Sequence, residues 1–209
     1  RNQIVEAALT CGFVNSPPGS WELAVRARVE AVNRSDLHRE LIETKSLMQA
    51  WSLRGAPTIF PSAQAGTFLG ALAARDDEVP IYAQPLSYTA KALKADRKIL
   101  LEALRKACRI LDGSVVVGKA QLDHVLAEAM KSYLPEAVLS QADEPSLVAK
   151  NQTLLEAAVS YLLRQCSLEG RVMMGERQKQ EPVFLSPSAW FGSALDDQPQ
   201  PQRIVDLFL

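Results

Sequence analysis

The side chains that could do chemistry in this chain are few and scattered. There are two histidines, His38 and His124, and three cysteines. His124 follows Asp123 in a helical pattern, and neighbours on a helix point about 100° apart, so the two form no catalytic dyad. No spacing assembles a Ser–His–Asp or Cys–His set, and two isolated histidines argue against a catalytic metal site. Cys11, Cys108 and Cys166 are odd in number and widely spaced, which excludes a disulfide framework and leaves three buried thiols in a reducing compartment as the expectation. Gly113, Gly118 and Gly170 read as helix ends rather than a phosphate-cradling loop. The carboxylates form no pair that can be placed in a cleft. Neither a metal nor a cofactor is expected.

The cations are more informative. Lys and Arg number 23 against 24 Asp and Glu, a net charge of −1. That excludes a globally basic protein and leaves a locally basic face open. Residues 85–111 hold Lys91, Lys94, Arg97, Lys98, Arg105, Lys106 and Arg109 against Asp96 and Glu102, about +5. Lys98, Arg105 and Arg109 share one helical face. Two readings stand: a stripe that contacts phosphates, or a solvated face opposite a leucine core. Residues 112–148 run the other way, at about −4, so only part of this half can lie on a polyanion.

Helical periodicity marks residues 3–11, a helix opened by Ser20, and a short one capped by Ser35. Residues 47–60 read as extended pieces about a turn at Arg54-Gly55-Ala56-Pro57, and residues 61–73 as a further helix. After a connection over 75–84, helices are expected at 88–95, 96–111, 118–130 and 146–166. A strand is expected at 114–117, a polar linker at 131–145, and a hairpin pairs 171–174 with 182–185. The longest apolar runs are too short for a membrane span, and there is no secretory signal, so the cytoplasm is the default location.

Helix, strand, helix, helix, hairpin is the order of a winged helix-turn-helix, with the 146–166 helix as recognition helix and the hairpin as wing. Lys150, Asn151 and Gln152 then lie near the start of the recognition helix and Arg164 near its end. Asn and Gln suit adenine edges, and a helix N-terminus suits phosphate. At the wing tip, Arg177 and Lys179 are placed for backbone contact. Trp190-Phe191 reads as an anchor beneath the wing. Winged helices also serve as protein-interaction modules, so the order by itself leaves both partners open.

Three stretches together resemble the winged-helix DNA glycosylases that act on alkylated purines and interstrand crosslinks. The first is Gly12-Phe-Val-Asn-Ser-Pro-Pro18, followed by a helix ending Ala24-Val-Arg-Ala-Arg-Val29. The second is Leu47-Met-Gln-Ala-Trp-Ser-Leu-Arg-Gly-Ala-Pro-Thr-Ile-Phe-Pro61, similar to the family's Trp-x-x-Arg-Gly-Thr-Leu-His signature at Trp51, Arg54 and Gly55. The third runs from Glu169-Gly-Arg171 through Ser188-Ala-Trp-Phe191 to Arg203-Ile-Val-Asp-Leu-Phe-Leu209. The family continues with another winged helix, so the chain looks truncated relative to it.

The resemblance implies a mainly α protein with short β hairpins, built of tandem winged helix-turn-helix units over residues 1–84 and 85–209, with duplex DNA as partner. It also implies hydrolysis of a damaged purine's N-glycosidic bond without metal or cofactor, through a Gln followed two residues later by Gln or Asp. Those two positions fall on Asn15 and Pro17 here; shifted by one residue, they fall on Val14 and Ser16. Asn15 keeps an amide, and Pro17 offers neither a side-chain acceptor nor an N–H. Asn15 is thus a catalytic amide or a plain turn residue. Arg54, with Trp51 and Gly55, either holds the fold together or faces DNA. The alternatives to a glycosylase are a non-catalytic DNA-binding regulator of the same fold and a protein-interaction module. Oligomeric state is open.

Overall fold

The computed structural model describes residues 3–75, 78 and 82–195. In the first half, α1 (Gln3–Leu9) turns at Gly12 into β1 (Phe13–Val14). Gly12 sits at φ +65°, and a Cβ there would lie 2.8 Å from Thr58 Cγ2 and 2.9 Å from Ile59 O, so this corner takes only glycine. Then come α2 (Ser20–Arg26), α3 (Arg34–His38) with a π-helical turn (Arg39–Glu43), β2 (Leu47–Trp51), a 3-10 turn (Leu53–Gly55) and β3 (Pro57–Pro61).

Both expected caps move by one or two residues. Gly19 caps α2, freeing the Ser20 hydroxyl to donate to Val14 O at 3.0 Å. Asn33, not Ser35, caps α3, in a reciprocal box with Asp36. The helix expected over 61–73 is broken into 3-10 turns (Ser62–Gln64 and Gly70–Leu72) around α4 (Ala65–Phe68), as Gly66 and Gly70 dictate.

The second half holds α5 (Ala83–Ala92), α6 (Arg97–Ala107) with a 3-10 turn (Cys108–Asp112), β4 (Val116–Val117) and α7 (Lys119–Lys131). It continues with α8 (Glu136–Ala142), α9 (Leu154–Leu168), β5 (Met173–Met174), β6 (Val183–Leu185) and α10 (Pro187–Phe191). The stretch read as a polar linker therefore contains α8, which starts after Pro135. α9 begins eight residues later than expected, because Thr153 and Glu156 form a capping box and Asn151 takes a left-handed φ of 62°. Residues 203–209 of the third resembling stretch lie outside the described residues. No helix among the described residues is long and apolar enough to cross a membrane.

The chain is mostly helical, and its short strands join one six-stranded antiparallel sheet in the order β1-β3-β2-β5-β6-β4. The two halves repeat one plan. In each, a helix, a strand, two further helices and a hairpin follow in order, with α8 inserted in the second half. In each, the first strand pairs with the third and the third with the second. The halves join where Gln49 of β2 pairs with Met174 of β5. Because β2 and β5 are antiparallel, the two hairpin turns lie at opposite ends of the sheet.

Strand alternation sorts the first half's core. Phe13, Leu47 and Ile59 face α1, α2 and α3 through Ile4, Trp21, Val25 and Leu37. Met48, Ala50 and Phe60 face the other way, onto Phe68 and Leu185. The second half is organised around α9, packed by α5, α6, α7 and β2, with no exposed residue along its length. Each of its buried leucines contributes about 1.5–3 kcal/mol.

Candidate nucleic-acid interface

Where β1 ends, the backbone turns and buries Asn15. Its N–H donates to Pro57 O at 2.7 Å, and its Oδ1 accepts the Gly19 N–H at 2.6 Å. Its Nδ2 donates to Gln49 Oε1 at 3.3 Å, and Gln49 Nε2 in turn lies 3.2 Å from Met174 Sδ. Two amides thus meet where the halves join. Each amide oxygen has a second lone pair beyond the bond it already accepts, so the pair can orient a water or a base edge. Neither amide can remove a proton. Pro17, reached through a cis Ser16–Pro17 bond, adds no side-chain acceptor, and its carbonyl already accepts the Ser20 N–H at 3.0 Å. Sequence reasoning missed Gln49; the signal was its place two residues before Trp51 on one face of a strand.

The signature residues divide. The Trp51 N–H donates to Ser167 Oγ at 3.1 Å, and the Ser167 hydroxyl is 3.2 Å from Trp51 O. The Trp51 ring stacks on Phe184 at 5.3 Å and carries the Arg164 guanidinium at 4.6 Å. Arg54 stands exposed on the β2–β3 turn with φ 57°, and Gly55, at φ 69°, is buried beside it. The cation stacked on Trp51 is therefore Arg164, from α9.

Of the α6 stripe, Lys98 and Arg109 are exposed. Arg105 is bound between its neighbours: Nη2 and Nε donate to Glu169 at 2.7 and 2.9 Å, and Nη1 donates to Glu102. These carboxylates hold its pKa further up against the opposing effect of burial.

The helix-start residues are separated as well. Lys150 and Asn151 lie exposed in the loop before α9. Gln152 Nε2 instead donates to the buried Asp123 at 2.9 Å, and Lys119 Nζ reaches the same carboxylate at 2.5 and 2.6 Å. Burial raises the Asp123 pKa and lowers that of Lys119 against their mutual attraction. Arg164 donates to Ser160 O at 3.2 Å and lies near both the Trp51 and Tyr82 rings, its Nε buried without a partner. Burial lowers its pKa. On α9 itself the outer residues Glu156, Ser160, Tyr161 and Arg164 are only partly accessible. The corresponding helix of the first half, α3, does present exposed residues, Arg34, Ser35 and His38.

The hairpin between β5 and β6 is exposed from Glu176 to Glu181 and carries Arg177 and Lys179. Gln178 and Glu181 pair across its tip, and Arg177 donates to Gln180 O. At its base, Glu176 meets His38 at 3.2 Å. Cys108 and Cys166 are buried as expected, but Cys11 is exposed. Among the described residues no cluster of three His, Cys, Asp or Glu is placed to hold a metal ion.

Among curated proteins, none matches the chain. Among solved structures, the chain is similar to the Streptomyces sahachiroi DNA glycosylase AlkZ, with a TM-score of 0.67 at 20% identity. The match covers 97% of this chain and 51% of that one, so this chain spans about half the length of its structural relative. That likeness establishes the fold. The model of the family described as DNA glycosylase AlkZ-like matches residues 9–209, and on that match the chain belongs to the AlkZ-like DNA glycosylase family.

Proposed function

We propose that the chain comprises two winged-helix units, residues 1–84 and 85–209, that together grip duplex DNA and present a damaged purine to the Asn15–Gln49 amide pair. One observation carries this reading. The Gln49–Met174 and His38–Glu176 contacts bring the hairpin bearing Arg177 and Lys179 against the same part of the first unit that holds the amides and the exposed face of α3. Cations that contact backbone phosphates thereby flank polar groups suited to a base or a water. Family membership supports DNA as the partner.

In base release, an N-alkylated purine is already cationic. Its bond to the sugar C1′ breaks, the electron pair leaves with the base and neutralises it, and water adds to the oxocarbenium-like sugar. The water's proton goes to solvent. The amide oxygens of Asn15 and Gln49 hold that water, and with Pro17 in place of a second motif acceptor, no local base assists. Release is therefore slow. A second reading, a DNA binder without catalysis, is favoured by the Gly19 N–H already held on Asn15 Oδ1.

The test is base release from alkylated duplex DNA, run beside DNA binding at two salt concentrations. Slow release with salt-sensitive binding supports the first reading. Binding without release supports the second. Absence of both leaves the protein-interaction module.

A further inference from the structure

Each half of the molecule clasps the other half's hairpin, by unlike chemistry. On one side, the base of the β2–β3 hairpin meets α9 through Trp51, Ser167 and Arg164, all largely out of solvent. On the opposite side, the base of the β5–β6 hairpin meets α3 through His38. There Nε2 lies 3.2 Å from Glu176 Oε1 and Nδ1 lies 3.3 Å from Glu43 Oε1, with all three side chains roughly half exposed. A neutral imidazole has one N–H and one lone pair, and a lone pair facing a carboxylate is repelled. Only the imidazolium donates to both carboxylates at once.

We propose that His38 is a proton-operated clasp that docks the β5–β6 hairpin, with Arg177 and Lys179, onto α3. The charged groups around it come from two elements. Its own helix and the following turn supply Arg34, Asp36, Arg39, Glu40 and Glu43; the hairpin supplies Glu176, Arg177, Lys179 and Glu181. Arg39 is bound to Asp36 and Glu40, so the groups acting on the imidazole are the carboxylates of Glu176 and Glu43. The hydrogen bond to Glu176 is the largest influence and raises the His38 pKa; desolvation opposes it, and the weaker bond to Glu43 adds to the rise. The clasp is accordingly complete below the ordinary histidine range and opens as pH rises through the raised value. This device is a property of the chain alone and does not depend on the DNA reading.

Hydrogen exchange of the Gln178 and Glu181 amides, which bond to each other's carbonyls across the hairpin tip, reports the docking. Protection factors, which remove the intrinsic pH dependence of exchange, are measured at about pH 5.5 and about pH 8.5, on either side of the histidine range. In the unmodified chain, protection falls about two- to fivefold at the higher pH, the size expected of exposed ion pairs. Its midpoint coincides with the titration of the His38 ring followed by NMR. In His38→Gln and Glu176→Gln the step disappears. Protection independent of pH in the unmodified chain, or a midpoint displaced from the His38 titration, overturns the clasp; neither measurement requires a variant to fold.

Discussion

The Arg164 guanidinium lies 4.6 Å from the Trp51 ring, and that ring stacks on Phe184 at 5.3 Å. An α9 cation and a β6 aromatic thus meet on the signature tryptophan of β2, which makes Trp51 a joint between the halves. Removing the ring leaves a cavity in this joint, and Trp51→Ala is expected to cost about 3–5 kcal/mol. Arg164→Met should change stability by no more than about 1.5 kcal/mol. It loses a cation–π contact worth about 1–2 kcal/mol but removes a buried Nε that has no partner. Urea midpoints of the two variants check the asymmetry, and equal losses would refute it.

Glu169 accepts from Arg105, Gln165 and Arg171. Burial alone would raise its pKa, but these donors outweigh burial and hold it below the ordinary glutamate value. The group therefore contributes stability above its unfolded pKa and loses it as pH falls through the lowered folded value. Glu169→Gln should flatten the decline in stability below about pH 4.5, the unfolded glutamate region. Thermal midpoints between neutral pH and pH 3 test this, and an unchanged acid slope would remove Glu169 from the acid response.

The spacing of apolar residues reveals most of the helices, and the hairpins are legible from Arg54-Gly55 and from the Gly175–Glu181 tip. Less legible is what depends on distant partners. Arg105 looks like part of a cationic stripe until Glu169, far along the chain, closes on it. Lys150 and Asn151 look helical because periodicity continues through them, yet the Thr153–Glu156 box starts α9 later. Gln49 carries no mark of function; its importance comes from pairing across the sheet with Met174 and bonding Asn15. The joining of both hairpins into one sheet rests on a single residue pair between β2 and β5, which no local pattern encodes.

Arg177 and Lys179 are exposed at the hairpin tip, whereas Arg105 is bound by two carboxylates. Each tip cation that contacts a phosphate releases about one counterion on binding duplex DNA. Changing both to Ala should reduce the slope of log affinity against log salt by up to about 2. Arg105→Met should leave the slope unaltered. Equilibrium binding to a duplex at several salt concentrations separates the two groups, and an equal effect from Arg105→Met would show that the ion pair opens on DNA.

The Asn15–Gln49 pair gives the sharpest chemical prediction. If the two amides hold the attacking water, removing either misplaces it. Asn15→Ala and Gln49→Ala should each slow release of an alkylated purine on the order of tenfold to a hundredfold, with duplex binding retained. Gln49→Glu separates positioning from mere packing. It keeps the length of the side chain and introduces the proton acceptor that the amide lacks. Release should then rise rather than fall, with an acid limb reporting the new carboxylate. A glutamate variant that is as slow as the alanine variant would mean that Gln49 supports Asn15 structurally and does not face the water.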